Sequence, residues 1–193
     1  MIALLLAAGL STRMGCQKLL LPFGNSTVVE TVLDNISRAG CFSEVCAVFS
    51  KEVAEKLTPH TNRFRAEINP APERGQSSSL LIGLGMVPDG EDFCIMLGDL
   101  PLARAESIAR LAAAFGELPP DKSVLTPSRN GGFGHPMFYR SVWKERFQSA
   151  TGDMGGRKLL MNHDTEIVRV EAPDGHFRDL DTPEDYKNII KDN

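Results

Sequence analysis

The sequence predicts a three-layer α/β/α domain, a mostly parallel sheet covered by helices on both faces, with added antiparallel strands towards the C-terminal side. Three observations lead there. Short apolar runs alternate with stretches of helical periodicity, the pattern of right-handed βαβ units. The 193 residues, read as one domain over 1–193, are enough to bury a core of their own, and no repeat, low-complexity tract or linker interrupts them. The residues best suited to chemistry fall just after the apolar runs, where open parallel sheets bind ligands.

The first strand is "IALLLAA", followed by small residues and then by Arg13 and Lys18. From Thr27 to Gly40, Val29, Val32, Leu33 and Ile36 follow the i, i+3, i+4, i+7 spacing of a helix with one buried face. Thr27 and Glu30 form a capping box at its start, and Gly40 supplies a left-handed residue at its end. "EVCAVF", "RAEIN" and "FCIML" continue the strands, and Arg104 to Gly116 repeats the helical scheme with Ile108, Leu111, Ala112 and Phe115. "SVLTP" reads as another strand. After about residue 130 the alternation blurs, and "PMFYR" and "EIVRV" read as added antiparallel strands. Thr182 as N-cap, Pro183 at the first helical position and Glu184 and Asp185 in the first turn start a last helix.

A net charge of −4 leaves no global basic surface for nucleic acid or an anionic membrane, so an anionic ligand must meet local cations or a metal ion. No apolar run approaches the roughly 20 residues of a membrane span, and "IALLLAAGL" lacks the basic flank of a signal peptide. Cys16, Cys41, Cys46 and Cys94 show no CxxC pair, and the four histidines are scattered. The expectation is a cytoplasmic protein with reduced thiols and no zinc site.

The stretch "LLLAAGLSTRMGCQK" carries the most information. Ala7, Ala8 and Gly9 have almost no side chain, so a base or a phosphate can approach the backbone closely. Successive N–H groups in such a loop form an anion-binding concavity. Arg13 can clamp a phosphate with two bonds, and Lys18 adds a point charge. Two other phosphate loops fail the test. The glycine after Gly9 is Gly15, followed by Cys16 rather than by the lysine of a P-loop, and Gly9-Leu10-Ser11 lacks the second glycine of a dinucleotide fingerprint.

"LAAGLSTRMGCQKLL" resembles the L-A-A/G-G-x-S-x-R-M-G-x-x-K signature of nucleotidyltransferases with a MobA-like NTP-transferase fold, and within them the molybdenum cofactor cytidylyltransferases. Further family-like motifs follow in order over nearly the whole chain. The resemblance implies a Rossmann-like sheet of the nucleotide-diphospho-sugar transferase type, with Leu6, Ala7, Ala8, Gly9, Arg13 and Lys18 around the nucleotide. "FCIMLGDLP" ends in Gly98, which gives access, and Asp99, a carboxylate at a strand's end that suits Mg²⁺ and resembles the family's metal-binding aspartate. "FRDLDTPEDY" resembles a second motif, which implies that Asp181 joins the metal while Asp179 is structural.

In "INPAPERGQSSSL", Asn69 has an amide able to read a base edge, and Gly75 to Ser79 offer a turn and hydroxyls; relatives hold the nucleobase and ribose there. "GGFGHPMFYR" and "TGDMGGRKLL" resemble acceptor-side motifs, with His135 in a hydrogen-bonding role and Arg157 and Lys158 gripping an acceptor phosphate.

The implied reaction is transfer of CMP from CTP to molybdopterin with release of pyrophosphate. It is catalysed by Lys18, Arg13 and Asp99 with Mg²⁺ (Mn²⁺ as a substitute), and the product's client is a molybdenum hydroxylase apoenzyme. Leu-Ala-Ala-Gly accompanies cytidine in the family, Leu-Ala-Gly-Gly guanosine. The alternatives are another acceptor or base, such as a sugar or alditol phosphate or GTP, and a non-catalytic escort of the cofactor. Cys16, inside the nucleotide loop, would make activity sensitive to oxidation if its thiol is reactive.

Overall fold

A computed structural model describes residues 1–57, 64–149 and 155–191, with 155–158 described by backbone alone. Strand β1 (Ile2–Ala7) is buried along its whole length. Its residues alternate between two cores, as a central strand covered on both faces requires. Ala3, Leu5 and Ala7 join one core, and Ile2, Leu4 and Leu6 join the other.

A small hairpin, β2 (Pro22–Phe23) with β3 (Ser26–Thr27), leads into α1 (Val28–Ala39). The capping box at α1 forms as the sequence predicts. Thr27 Oγ1 accepts from the Glu30 N–H, the Glu30 carboxylate accepts from the Thr27 N–H, and Gly40 closes the helix in the left-handed region. Next come β4 (Glu44–Phe49), α2 (Lys51–Lys56), β5 (Arg65–Ile68), α3 (Gln76–Met86), β6 (Phe93–Leu97) and α4 (Ala105–Gly116). Then follow β7 (Val124–Arg129), β8 (Gly132–Phe133), β9 (Met137–Tyr139), α5 (Trp143–Ser149), α6 (Gly155–Asn162), β10 (Ile167–Val170) and α7 (Pro183–Lys191).

The sheet runs β10-β7-β9-β6-β1-β4-β5, with β8 paired to β7. β1 pairs parallel with both β4 and β6, so the chain leaves β1 in one direction and later returns on its other side. That reversal opens a crevice at the carboxyl ends of β1 and β6. α1 and α4 cover one face, while α3, α5 and Leu160 of α6 cover the other.

β9 is antiparallel to β6 and β7, as expected of an added strand. β10 corrects the expectation, since it pairs parallel with β7. β9 already runs opposite to β7, so β10, which runs opposite to β9 after the α5–α6 connection, comes out parallel to β7.

A polar clamp secures β10 at the end of the sheet away from the crevice. The Ser123 N–H donates to the Glu166 carbonyl at 3.0 Å. The Glu166 carboxylate accepts from Arg146 at 2.9 Å and from the Ser123 hydroxyl, and that hydroxyl accepts from Trp143 Nε1 at 2.8 Å. The hydrogen bond from Arg146 holds the Glu166 carboxyl below its ordinary value. A depressed carboxyl stabilises the fold above its unfolded-state pKa and stops doing so as pH falls through the folded-state value. Glu166→Gln should therefore cost about 1.5–3 kcal/mol at neutral pH, read by urea unfolding. The gap to wild type should shrink below about pH 4 and close at lower pH.

Candidate active site

The crevice between β1 and β6 is possible because Gly98 lets the two strand ends approach. Its N–H donates to the Leu6 carbonyl at 3.0 Å. A Cβ on Gly98 would lie 2.9 Å from the Ala7 methyl, too close for any L side chain. The chain then turns outwards, and Asp99 is left at the floor of a cavity of about 460 Å³.

One wall is the loop after β1. Ser11 takes a left-handed conformation at φ 53°, and Thr12–Met14 form a short 3₁₀ turn. Gln17 braces this loop from inside. Its amide donates to the Gly9 carbonyl at 3.2 Å and its oxygen accepts from the Ser11 hydroxyl at 2.9 Å. Ser11 Oγ in turn accepts from the Lys18 N–H at 3.2 Å, which fixes the backbone from which the Lys18 side chain reaches into the site.

The C-terminal segment supplies the opposite wall. Leu180 is fully buried and anchors the segment in the core between Asp179 and Asp181. The cap of α7 is self-contained, because the Thr182 N–H and hydroxyl both donate to the Asp185 carboxylate at 2.7 Å. Asp181, just before that cap, is left to face the cavity.

These segments meet at one ammonium. Lys18 Nζ lies 2.6 Å from Asp99 Oδ2 and 3.0 Å from Asp181 Oδ1, and the Arg13 guanidinium pairs with Asp181 Oδ2. Burial works against the Lys18 charge, but the Asp99 and Asp181 carboxylates together outweigh it and lift the ammonium above its usual range. The hydrogen bond from Lys18 holds the Asp181 carboxyl below its own. Asp179 behaves oppositely. Partial burial, followed by the charges of Asp99 and Asp181, pushes its carboxyl up.

Asp99 Oδ1 is the buried side-chain oxygen with no hydrogen-bond partner among the described residues. A bare carboxylate oxygen beside a second carboxylate fits a hard divalent cation that completes its shell with phosphates and water. No cluster of three or more His, Cys, Asp or Glu arranged for a metal occurs among the described residues.

Of the residues predicted from sequence, Leu6, Ala7, Ala8, Gly9, Arg13, Lys18, Gly75, Ser79, Gly98, Asp99 and Asp181 all line the cavity. Asn69 is a correction. Its amide is 2% exposed, donates to Ser78 and Ser79 at 2.8 and 2.9 Å, and accepts from the Ala71 N–H at 2.9 Å. With those bonds made it shapes the turn before α3 and has no free edge for a base. Pro72, Glu73 and Gln76, which the sequence did not single out, line that side instead.

His135 lies outside the cavity lining, on the β9 side of Asp99. Its Nδ1 bonds the Ile95 carbonyl at 3.2 Å, and burial lowers its pKa. Its backbone is gripped by the buried His176. The His135 N–H donates to the His176 carbonyl at 3.1 Å, and His176 Nδ1 donates to the His135 carbonyl at 2.7 Å. A Cβ on Gly134 would meet the Phe177 ring at 2.6 Å, which is why a glycine stands there. Arg157 falls in α6 with its side chain outside the described residues, as is that of Lys158, and Thr151–Met154 of the same motif also lie outside them. Cys16 is exposed on the loop after β1. No helix among the described residues is long and apolar enough to cross a membrane.

The chain belongs to the MobA-like NTP transferase domain family, which residues 3–167 match. It is 30% identical to the purine catabolism protein PucB of Bacillus subtilis, over 98% of this chain and 95% of that one. It is 25% identical to a probable molybdenum cofactor guanylyltransferase of Thermococcus kodakarensis, over 98% and 94% of the two chains. It is also 25% identical to the molybdenum cofactor cytidylyltransferase of Escherichia coli, over 93% and 90%. Among solved structures, a Methanothermobacter nucleotidyl transferase superposes with a TM-score of 0.83 at 22% identity, over 99% and 96% of the chains. A Mycobacterium tuberculosis protein solved with manganese superposes with a TM-score of 0.73 at 24% identity, over 98% and 97%. The two superpositions show the fold; the family makes this chain a nucleotidyltransferase.

The role given to Asn69 is open to test. Asn69→Ala should lower stability by about 1–3 kcal/mol, because it strands the Ala71 N–H and removes the donor to the Ser78 and Ser79 oxygens. Competition binding among the four nucleoside triphosphates should show the same order of preference as wild type.

Proposed function

We propose that the whole chain, residues 1–193, acts as one domain that transfers CMP from CTP to molybdopterin and releases pyrophosphate. The observation that carries the transfer reaction is the convergence of Lys18, Arg13, Asp99 and Asp181 at the cavity floor, with Asp99 Oδ1 left bare. A triphosphate lies along the Gly9–Lys18 loop, with Arg13 as a clamp and Lys18 as a point charge on the departing pyrophosphate. Asp99 and Asp181 would hold Mg²⁺, for which Mn²⁺ would substitute. When bound, the ion neutralises charge on the α-phosphate and on the leaving group. Catalysis then rests on positioning and charge stabilisation.

The acceptor side lies across Asp99, at Gly134–Pro136 and near α6, where Arg157 would grip a phosphate. A phosphate monoester, with a second pKa of about 6, is largely dianionic at neutral pH. Its oxygen forms the new bond to the α-phosphorus as the bond to pyrophosphate breaks, and no side-chain base is needed. His135 fits that chemistry as a neutral, positioned group, since burial favours its uncharged form.

Leu6-Ala7-Ala8-Gly9 supports CTP, because Ala8 lines the cavity and a methyl there would take up room that a purine needs. The Escherichia coli relative, named as a cytidylyltransferase, supports the same base and acceptor. A second reading, the same fold with another base or acceptor, is favoured by the two relatives named for guanylyl transfer and for purine catabolism. An escort without turnover is disfavoured, since it has no use for the charged cluster. The product would pass to a molybdenum hydroxylase apoenzyme.

Incubation with Mg²⁺, each NTP and molybdopterin, followed by pyrophosphate release, tests the proposal. Release with CTP that depends on molybdopterin is the expected result; release with GTP, or with no acceptor requirement, would refute it. Asp99→Ala should lower turnover by at least about 10²-fold, the typical loss of one such stabiliser.

A further inference from the structure

The carboxylates assigned to the cation already share a cation of the protein's own. Three of their four oxygens are engaged: Asp99 Oδ2 and Asp181 Oδ1 by Lys18, and Asp181 Oδ2 by Arg13. A divalent ion bound at about 2.0–2.1 Å to these oxygens would sit almost on top of the Lys18 ammonium, and two like charges at that spacing repel strongly. Only Asp99 Oδ1 is bare, and one carboxylate oxygen is a poor site by itself.

We propose that Lys18 is the resident counter-ion of the Asp99–Asp181 pair, and that a polyphosphate draws it off, so that the pair accepts a divalent cation together with a polyphosphate rather than alone. The inference rests on the reading that these two aspartates hold the cation.

The geometry suits such an exchange. The Lys18 backbone is pinned to Ser11, and its flexible four-carbon stem emerges beside the loop on which the triphosphate would lie. Lys18 therefore reaches either partner by rotation of its side chain, with no movement of the loop. Its side chain is only 12% exposed, so in leaving the carboxylates the ammonium needs another anion to receive it. A polyphosphate is that anion. Arg13, at 73% exposure, is free to follow. By linkage the effect is reciprocal: whatever the polyphosphate does for cation affinity, the cation does for polyphosphate affinity.

Free Mn²⁺, counted by its electron paramagnetic resonance signal in the absence of any phosphate, tests the exchange. Lys18→Met should bind Mn²⁺ at least about tenfold tighter than wild type, and adding Asp99→Asn to it should abolish the gain. Equal or weaker binding by a folded Lys18→Met protein would overturn the proposal. A second measurement uses wild type, in case the variant does not fold. In ¹⁵N-lysine-labelled protein, the Lys18 Nζ resonance should stay in place with Mg²⁺ alone and move when inorganic tripolyphosphate is added with it. A full shift with Mg²⁺ alone, or none with both, would overturn the proposal. Neither measurement uses a base or an acceptor, so failure of the CTP and molybdopterin reading leaves the result standing.

Discussion

Three carboxylates crowd one end of the sheet, and the protein has to hold them there. Burial first, and then the charges of Asp99 and Asp181, push the Asp179 carboxyl up. A single lysine lies within hydrogen-bond reach of both Asp99 and Asp181. That sharing is the constraint around which the site is built. It requires a strand end open enough for a buried aspartate, a braced loop to deliver the ammonium, and a C-terminal anchor to bring the second acid within 3.0 Å of it.

The sheet meets the first requirement through its order. Because β1 sits between β4 and β6 with all three parallel, the carboxyl ends of β1 and β6 open side by side at one edge of the sheet. Gly98 then removes the side chain that would wedge the two strand ends apart. The second requirement falls to Gln17 and Ser11, two uncharged residues that bond each other and the backbone. The third falls to Leu180, whose burial sets the direction of the carboxylates on either side. Packing thus decides the electrostatics.

Much of this was legible in the sequence, for identifiable reasons. Buried strands read as continuous apolar runs, and the capping boxes of α1 and α7 read residue by residue. The site cations and acids stood where strands ended. What escaped depended on partners that no local pattern names. Asn69 looked like a free amide because the turn that folds Ser78 and Ser79 back onto it cannot be seen in its neighbours. The direction of β10 was misread because its partner is β7, well back in the chain, and not the strand just before it. The hairpin of β2 and β3 was missed although Gly24-Asn25 carries its turn signal. His176, a lone histidine in a Pro-Asp-Gly-His-Phe stretch, offered no spacing to read, yet it ties the backbone of His135 to Ser107 of α4.

The distance along the chain between the members of the cluster has a further consequence. Lys18 is 81 residues from Asp99 and 163 from Asp181, and Arg13 is 168 from Asp181. Contacts of such separation close loops that are costly to form early in folding. During synthesis the ammonium and the first aspartate emerge long before the second, so a growing chain holds an incomplete charge set and no working centre. The charge set is therefore complete only when the segment that carries Asp181 has docked against the loop after β1.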